Sequence, residues 1–168
     1  MDECDMETHG VRRKDVPGSN PMWTQAVVDR ARRMVIRDRN HACVCIWSLG
    51  NEAGDGENFK YMKQAILYHD DSRPVHYEGD FDLTTSDFIS RMYPNGEMME
   101  KLGTRQPITV SMFENIANSL AADNKPITAE MYRGKPVVLC EFAHAMENSL
   151  GNFQEFMDAF EKYDNLCG

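Results

Sequence analysis

Two continuous apolar runs constrain the fold of this chain most strongly. Residues 44–49 (VCIWSL) are followed, after a Gly-Asn pair, by Glu52, and residues 137–140 (VVLC) lead directly into Glu141. Strands of a parallel sheet are covered on both faces, so they are continuously apolar rather than alternating. We predict that both runs are buried strands of a parallel sheet.

Three segments between and after these runs carry apolar residues at helical spacing. We predict three helices from this spacing and interpret the aromatic and methionine residues as core positions. The apolar positions are Trp23, Ala26, Val27, Ala31, Met34 and Val35 in the first helix, Phe59, Met62, Ile66 and Leu67 in the second, and Leu150, Phe153, Phe156, Met157 and Phe160 in the third. Trp47 lies inside the apolar run 44–49 and is assigned to the core.

Shorter elements complete the predicted pattern. Residues 74–78 and 88–93 are strand candidates flanked by polar loops, and a short helix is predicted at about 113–122. Strands that alternate with helices are typical of βα units and a parallel sheet. The predicted fold class is therefore α/β.

Charge and hydropathy exclude two classes of partner. The 168 residues carry a formal net charge of −9, so a phosphate backbone would be repelled and nucleic acid is not expected as a partner. No stretch approaches the roughly 20 apolar residues that span a bilayer, and the acidic N-terminus lacks the regions of a signal peptide. We expect a cytoplasmic protein with no membrane partner. Five arginines are expected on a solvated helix face, namely Arg30, Arg32, Arg33, Arg37 and Arg39.

The cysteines give no sign of a disulfide scaffold or a zinc site. Their number is odd and no C-x-x-C pair occurs, which favours reduced and mostly buried thiols. The five are Cys4, Cys43, Cys45, Cys140 and Cys167.

Polar residues at the carboxyl ends of the predicted strands are the candidate functional groups. Parallel α/β sheets gather their functional side chains at these ends, which directs attention to Glu52 and Glu141. Two carboxyl groups are the minimal equipment for glycoside hydrolysis, and retention of configuration requires them to lie about 5–5.5 Å apart. Position alone leaves open the alternative that both glutamates are ordinary surface-loop residues.

A second candidate constellation lies near the N-terminus. In an extended backbone, the side chains of Glu7 and His9 point the same way. With Glu52 as a third ligand, they could bind a divalent cation. Two carboxylates and one imidazole suit Mg²⁺ or Mn²⁺ better than structural zinc. The pair by itself is common, so an incidental occurrence remains the alternative.

Longer motifs around these residues resemble the lactose-hydrolysing β-galactosidases of glycoside hydrolase family 2. Residues 46–54 (IWSLGNEAG) resemble the family's acid/base motif, and 139–146 (LCEFAHAM) with 148–151 (NSLG) resemble its nucleophile motif. The pairs Asp2-Glu3 and 7–10 (ETHG) are similar to the end of its third barrel strand. The stretches 37–41 (RDRNH) and 72–79 (SRPVHYEG) also match, so the resemblance runs through nearly the whole chain.

The resemblance implies roles for individual residues. Glu141 would be the nucleophile and Glu52 the acid/base. Asn51 would bind the sugar 2-hydroxyl, and a phenolic hydrogen bond from Tyr93 would hold Glu141. His144 would contact the galactosyl hydroxyls. The implied Mg²⁺ ligands are Glu7, His9 and Glu52, and any monovalent-cation ligands of the family lie outside this chain.

The resemblance also implies an incomplete TIM (β/α)8 barrel. Residues 1–168 would cover about strand 3 to helix 7 of the catalytic domain, without an eighth strand and without the β-sandwich domains that flank it. The expected partners are a β-galactoside and either the remainder of the barrel or further copies of the chain. The alternatives are an inactive fragment, an interaction subunit completed by a partner chain, or another glycosidase specificity of the same family.

One residue departs from the family pattern. Glu147 stands where the family usually has glycine. A carboxylate there costs little on a solvated surface, but it would strain the backbone if the position requires a positive φ.

Overall fold

The structure is a computed structural model that describes residues 1–9, 17–109, 126–145 and 151–168. It divides into two compact units, Met1–Asp87 and Phe88–Gly168. Three predictions, the short helix at 113–122, the core position Leu150 and the effect of Glu147, lie outside the described residues.

The first unit is a three-stranded parallel sheet with two long helices. Its elements are β1 (Asp2–Glu3), a 3-10 turn (Pro21–Trp23), α1 (Thr24–Asp38), β2 (Trp47–Ser48), α2 (Glu57–His69) and β3 (Val75–His76). The strand order is β1-β2-β3, and the register places Glu3 beside Ser48 and Ser48 beside His76. The predicted parallel α/β pattern is confirmed, although the regular strands are shorter than the apolar run 44–49 indicated.

The core of this unit forms where α1 and α2 contact each other and cover the sheet. Val35, Met62 and Trp47 are completely buried there, and they belong to one continuous apolar cluster. The assignment of Trp47 to the core is confirmed, and its indole Nε1–H donates a hydrogen bond of 2.9 Å to Asp70. That bond satisfies the one polar atom of a side chain that burial removes from water.

Several burial predictions are wrong in this unit. Trp23 is 49% exposed because it ends the 3-10 turn before α1 begins, and Leu67 is 38% exposed on α2. All five cysteines are free, as predicted, but only Cys4 is buried, whereas Cys43 and Cys45 are exposed. These two precede the regular part of β2, so no second layer covers them. The predicted arginine face is confirmed, since all five arginines are exposed.

The second unit contains a two-stranded parallel sheet. Its elements are β4 (Ile89–Met92), α3 (Gly96–Gly103), β5 (Val137–Glu141) and α4 (Phe153–Lys162). Strands β4 and β5 pair in parallel. Beyond α4 the chain returns alongside β5, where Val137 N–H donates to Asn165 O at 2.8 Å and Cys167 N–H donates to Val137 O at 2.8 Å. Residues 165–168 run beside β5 through a single isolated parallel bridge between Val137 and Leu166, and no regular strand is formed after α4 in the described residues.

Helix α3 was not predicted. It has only eight residues and a glycine at each end, so the apolar period is too short to stand out. Its signal is the cap, because the Asn95 side chain accepts a hydrogen bond of 2.8 Å from Met98 N–H. Leu102, on the same helix, is completely buried.

Helix α4 begins at Phe153, close to the predicted start, but it buries less than expected. On this helix only Phe156 is buried, and Phe153 is 51% exposed. Phe142, next to Glu141, contacts the rings of Phe153, Phe156 and Phe160 at centroid distances of 6.0, 5.3 and 6.0 Å. The helix therefore packs an aromatic cluster directly behind the end of β5. In the described part of the chain, the helices are too short or too polar to cross a bilayer.

Candidate active site

Glu52 lies three residues beyond Leu49 and is held by the ends of neighbouring strands. The preceding residue, Asn51, donates its backbone N–H to Met6 O at 3.1 Å and forms a parallel bridge with Glu7. The Glu52 side chain is largely buried, with 18% of its surface exposed. This placement fixes the backbone around Glu52 against the segment that follows β1.

An imidazole lies between two carboxylates at this end of the first sheet. His9 Nε2 is 2.8 Å from Glu7 Oε1 and 2.9 Å from Glu52 Oε2. The structure therefore brings together the three side chains that the sequence predicts as cation ligands. A proton on Nε2 can bridge the two carboxylates and reduce their mutual repulsion.

The donor set formed by Glu7, His9 and Glu52 fits a hard divalent cation in its chemistry. Two carboxylate oxygens and one imidazole nitrogen converge within hydrogen-bond distance, which is the mixture that Mg²⁺ and Mn²⁺ accept. Within residues 1–9, 17–109, 126–145 and 151–168, no group of three or more such side chains is arranged as a formed metal site. The imidazole bridges the carboxylates, so a cation would take the place of that contact.

Two residues just beyond β3 also contact the loop that carries Glu52. The buried carboxylate of Glu78 accepts a hydrogen bond from Glu52 N–H, and the buried phenol of Tyr77 donates one to Gly54 O. Burial, with the nearby charge of Glu78, raises the pKa of Tyr77 well above its ordinary value, so the phenol keeps its proton. The sequence placed both residues at a strand end but assigned no role to them.

Glu141 is the last residue of β5 and is held by a neighbour across the sheet. The Tyr93 phenol donates a hydrogen bond to Glu141 Oε2, and Tyr93 N–H donates to Glu141 O at 2.8 Å. His144 makes an edge contact with the Tyr93 ring at a centroid distance of 5.2 Å. The structure therefore brings together the three predicted site residues of this unit.

An open cavity lies at this end of β5. Its volume is about 400 Å³, and Tyr93 and residues 140–145 line it. A volume of this size is within the range of small-molecule sites. The lining includes the carboxylate of Glu141 and the imidazole of His144.

Unusual backbone conformations concentrate at these strand ends. In the described part of the chain, seven residues other than glycine have a positive φ, and four belong to or adjoin the candidate site. They are His9 (46°), Glu52 (43°), Tyr93 (48°) and Ala143 (49°). Such conformations cost about 1–3 kcal/mol each and concentrate where a side chain must be aimed at a ligand.

A buried polar chain crosses the first sheet below the candidate site. Ser48 Oγ donates to Glu3 Oε2 at 2.8 Å and lies 2.8 Å from His76 Nδ1. Because the hydroxyl proton goes to Glu3, the His76 ring donates through Nδ1–H. Burial lowers the pKa of His76 to about 4, so the imidazole is neutral at neutral pH. No local sequence pattern indicates this chain of contacts, because it depends on strand register.

Comparison with known proteins identifies the family of the whole chain. The profile described as glycosyl hydrolases family 2, TIM barrel domain, matches residues 1–168. The chain is 39% identical to a β-galactosidase of Pectobacterium atrosepticum over 169 residues and 37% identical to one of Priestia megaterium over 178 residues. Each match covers all of this chain but only 15% of the relative.

Solved structures agree on the fold. The crystal structure of Ruminococcus gnavus β-glucuronidase superposes with a TM-score of 0.52 at 19% identity, covering 87% of this chain and 28% of that one. A complex of the same enzyme with a C6-substituted uronic isofagomine gives a TM-score of 0.51 at 20% identity. Identity this low supports the fold only. The superposed fold agrees with the incomplete TIM barrel that the sequence predicts. The chain belongs to glycoside hydrolase family 2 and forms part of that family's TIM-barrel domain.

Proposed function

We propose that this chain is the catalytic segment of a retaining β-galactosidase. The observation that carries the proposal is the arrangement at the end of β5, where the Tyr93 phenol holds the Glu141 carboxylate beside an open cavity. The relatives at 37–39% identity are named β-galactosidases, which supports the choice of sugar. Since the chain spans 15% of their length, the proposed activity belongs to a protein with a complete barrel.

The proposed reaction has two displacement steps. In the first, Glu141 attacks the anomeric carbon while the Glu52 carboxyl donates its proton to the leaving oxygen, which gives a galactosyl ester on Glu141. In the second, the Glu52 carboxylate takes a proton from water, and the hydroxyl attacks the anomeric carbon and releases Glu141. The configuration is inverted twice and is therefore retained.

Three further residues would orient the sugar and the nucleophile. Asn51 would donate to the 2-hydroxyl, a contact that strengthens as the ring gains oxocarbenium character. His144, beside Tyr93, would contact other sugar hydroxyls. The Tyr93 phenol donates to one oxygen of Glu141 and so leaves the other oxygen aimed at the anomeric carbon.

Glu7, His9 and Glu52 would hold the divalent cation. A bound Mg²⁺ would supply positive charge beside the acid/base carboxylate and favour its ionised form. Within the chain, the His9 imidazole already contacts both carboxylates and keeps them together.

The test is a segment exchange into a complete enzyme. This chain would replace the stretch that it matches in the Pectobacterium atrosepticum relative, and the product would be assayed on aryl β-galactosides, β-glucuronides and β-mannosides. We expect turnover of the galactoside, and we expect Glu141→Gln to lower kcat at least about 10⁴-fold because the nucleophile is lost.

The control for this exchange is Glu155→Gln, the same substitution at an exposed position on α4. It should leave kcat within about twofold, since a surface change of this kind rarely matters. A folded exchange protein without turnover would favour the alternative of an inactive fragment or interaction subunit. Preference for a glucuronide or mannoside would contradict the proposed specificity.

A further inference from the structure

Glu78 is a buried carboxylate that the proposed reaction does not use. It follows β3 at the same end of the first sheet as Glu52, and 3% of its surface is exposed. Glu78 lies in the turn that begins two residues after the strand ends at His76. A carboxylate is seldom buried unless its contacts repay the loss of hydration.

One of these contacts is the backbone of the acid/base residue. Glu78 Oε1 accepts the hydrogen bond of Glu52 N–H. On the other side, Met6 O accepts Asn51 N–H at 3.1 Å. Two successive amides of the loop are therefore bound in different directions, which fixes the orientation of the peptide that carries Glu52.

The backbone of Glu52 needs such a contact because its φ is +43°. Residues with a Cβ seldom adopt this left-handed conformation, and it persists only where the surroundings hold it. The side-chain direction of Glu52 follows from its backbone angles. A contact that holds this peptide therefore also aims the carboxyl group.

A second contact joins the same two segments. The Tyr77 phenol donates to Gly54 O, two residues beyond Glu52. Gly79 follows Glu78, and a Cβ at Gly79 would lie 2.6 Å from the Tyr77 hydroxyl, so the chain needs glycine to pass this point. The end of β3 is thus built to hold the loop that contains Glu52.

We propose that Glu78 is a positioning residue that fixes the backbone of Glu52 and so directs the acid/base carboxyl. This inference rests on the proposed function. Glu78 itself does not contact the substrate, and it acts through the Glu52 amide. Its loss should affect proton donation to the leaving group more than sugar binding.

The first test measures hydrogen exchange of the Glu52 amide in this chain, without any activity assay. Glu78→Ala removes the acceptor and should speed exchange at least about tenfold, whereas Glu78→Gln keeps a carbonyl acceptor and should stay within about threefold. Glu78→Asp withdraws the acceptor by one methylene and should also speed exchange. This variant replaces Glu78→Ala in the test if the alanine variant does not fold. Unchanged exchange in the folded Ala or Asp variant would overturn the proposal.

The second test uses leaving groups in the segment-exchange protein. A methoxyphenyl galactoside needs protonation of its leaving oxygen, whereas a dinitrophenyl galactoside does not. Glu78→Ala should lower kcat/KM about 100-fold for the first, the scale expected when a catalytic group is misplaced by 1 Å. It should lower kcat/KM less than about tenfold for the second, because that step lacks acid catalysis. Equal losses for both substrates would overturn the positioning role.

The matched control is Asp80→Asn. Asp80 is also a buried carboxylate beyond β3, but it accepts from the backbone N–H groups of Thr84, Thr85 and Ser86 at 3.1, 2.7 and 2.6 Å. We expect Asp80→Asn to lower the free energy of unfolding. It should change neither the hydrogen-exchange rate of the Glu52 amide nor the ratio of kcat/KM for the two substrates. A segment-exchange protein that carries the unsubstituted chain but shows no turnover would count against the proposed function. Hydrogen exchange of the Glu52 amide would still test the positioning role of Glu78.

Discussion

At the scale of single residues, Glu141 and Glu52 are each held by a neighbouring strand end. Tyr93 binds the side chain of Glu141, and Glu78 binds the backbone of Glu52. The difference matters because a phenol bound to the carboxylate itself can affect the reactivity of Glu141 as well as its position. A backbone contact affects position only. Substitutions at the two supports should therefore have different signatures.

Tyr93→Phe should reduce kcat in the segment-exchange protein by about 10- to 100-fold. The reason is the loss of a hydrogen bond to a charged group, which contributes about 1.5–3 kcal/mol. The matched control is Tyr61→Phe on α2, where the tyrosine is 46% exposed, and it should leave kcat unchanged. Full activity of Tyr93→Phe would show that the phenol does not assist Glu141.

His76 predicts a pH dependence of the free energy of unfolding. Its pKa is about 4 in the folded chain, against an ordinary value of 6.5 that applies when the chain unfolds. Between these values the unfolded state binds more protons, so acidification through this window should destabilise the fold by about 3 kcal/mol in total. Above this pH range, His76 is neutral in both the folded and the unfolded chain, and below it His76 is protonated in both. The contribution of His76 to the pH dependence of stability is therefore confined to this range.

The measurement for His76 is urea unfolding at a series of pH values between 7 and 4. His76→Asn keeps a donor at the position of Nδ1 but does not titrate, so its stability should fall less steeply in this window. Equal pH dependence of the wild type and the variant would assign the effect to other groups.

At the scale of elements, helix α4 supports the end of β5 through aromatic contacts. Phe156 is buried against Phe142, the neighbour of Glu141, whereas Phe153 contacts the same ring but is 51% exposed. The two phenylalanines share a helix and a partner but differ in burial. They therefore separate the contribution of burial from that of ring contact.

Phe156→Ala should lower the free energy of unfolding of the chain by about 3–5 kcal/mol, the usual cost of deleting a buried phenylalanine. Phe153→Ala should cost less than about 1.5 kcal/mol, since half of its surface is already in water. Both values come from urea titration followed by circular dichroism. Equal costs for the two variants would contradict the packing described for α4.

The elements also show which features the sequence could predict. Continuous apolar runs identified β2 and β5 because burial on both faces leaves a strong local signal. Helix α3 was not predicted because its eight residues, which begin and end with glycine, show too little of the helical period. The contacts of Glu78 and the chain from Glu3 to His76 depend on strand register, which no local pattern encodes. Glu52 and Glu141 could be singled out because they follow apolar runs closely in sequence, whereas the roles of Asn51, Tyr93 and His144 rested on the resemblance to family 2.

At the scale of the whole molecule, the chain is a family 2 barrel segment that spans 15% of its β-galactosidase relatives. Its strands end in the groups that the proposed reaction needs, and its two units each hold part of them. We therefore expect the proposed activity from a complete barrel, such as the segment-exchange protein. In that protein, the proposed reaction requires Glu141 to become covalently bound to galactose.

The most direct measurement is to trap that intermediate with a 2-deoxy-2-fluoro-galactosyl fluoride and locate the label by peptide mass spectrometry. The fluorine slows both steps because it withdraws charge from the oxocarbenium-like transition state, and the fluoride leaving group restores the first step. We predict a single labelled peptide with the galactosyl group on Glu141, and no label in Glu141→Gln. A label on another residue, or turnover of galactosides without any labelled peptide, would contradict the account.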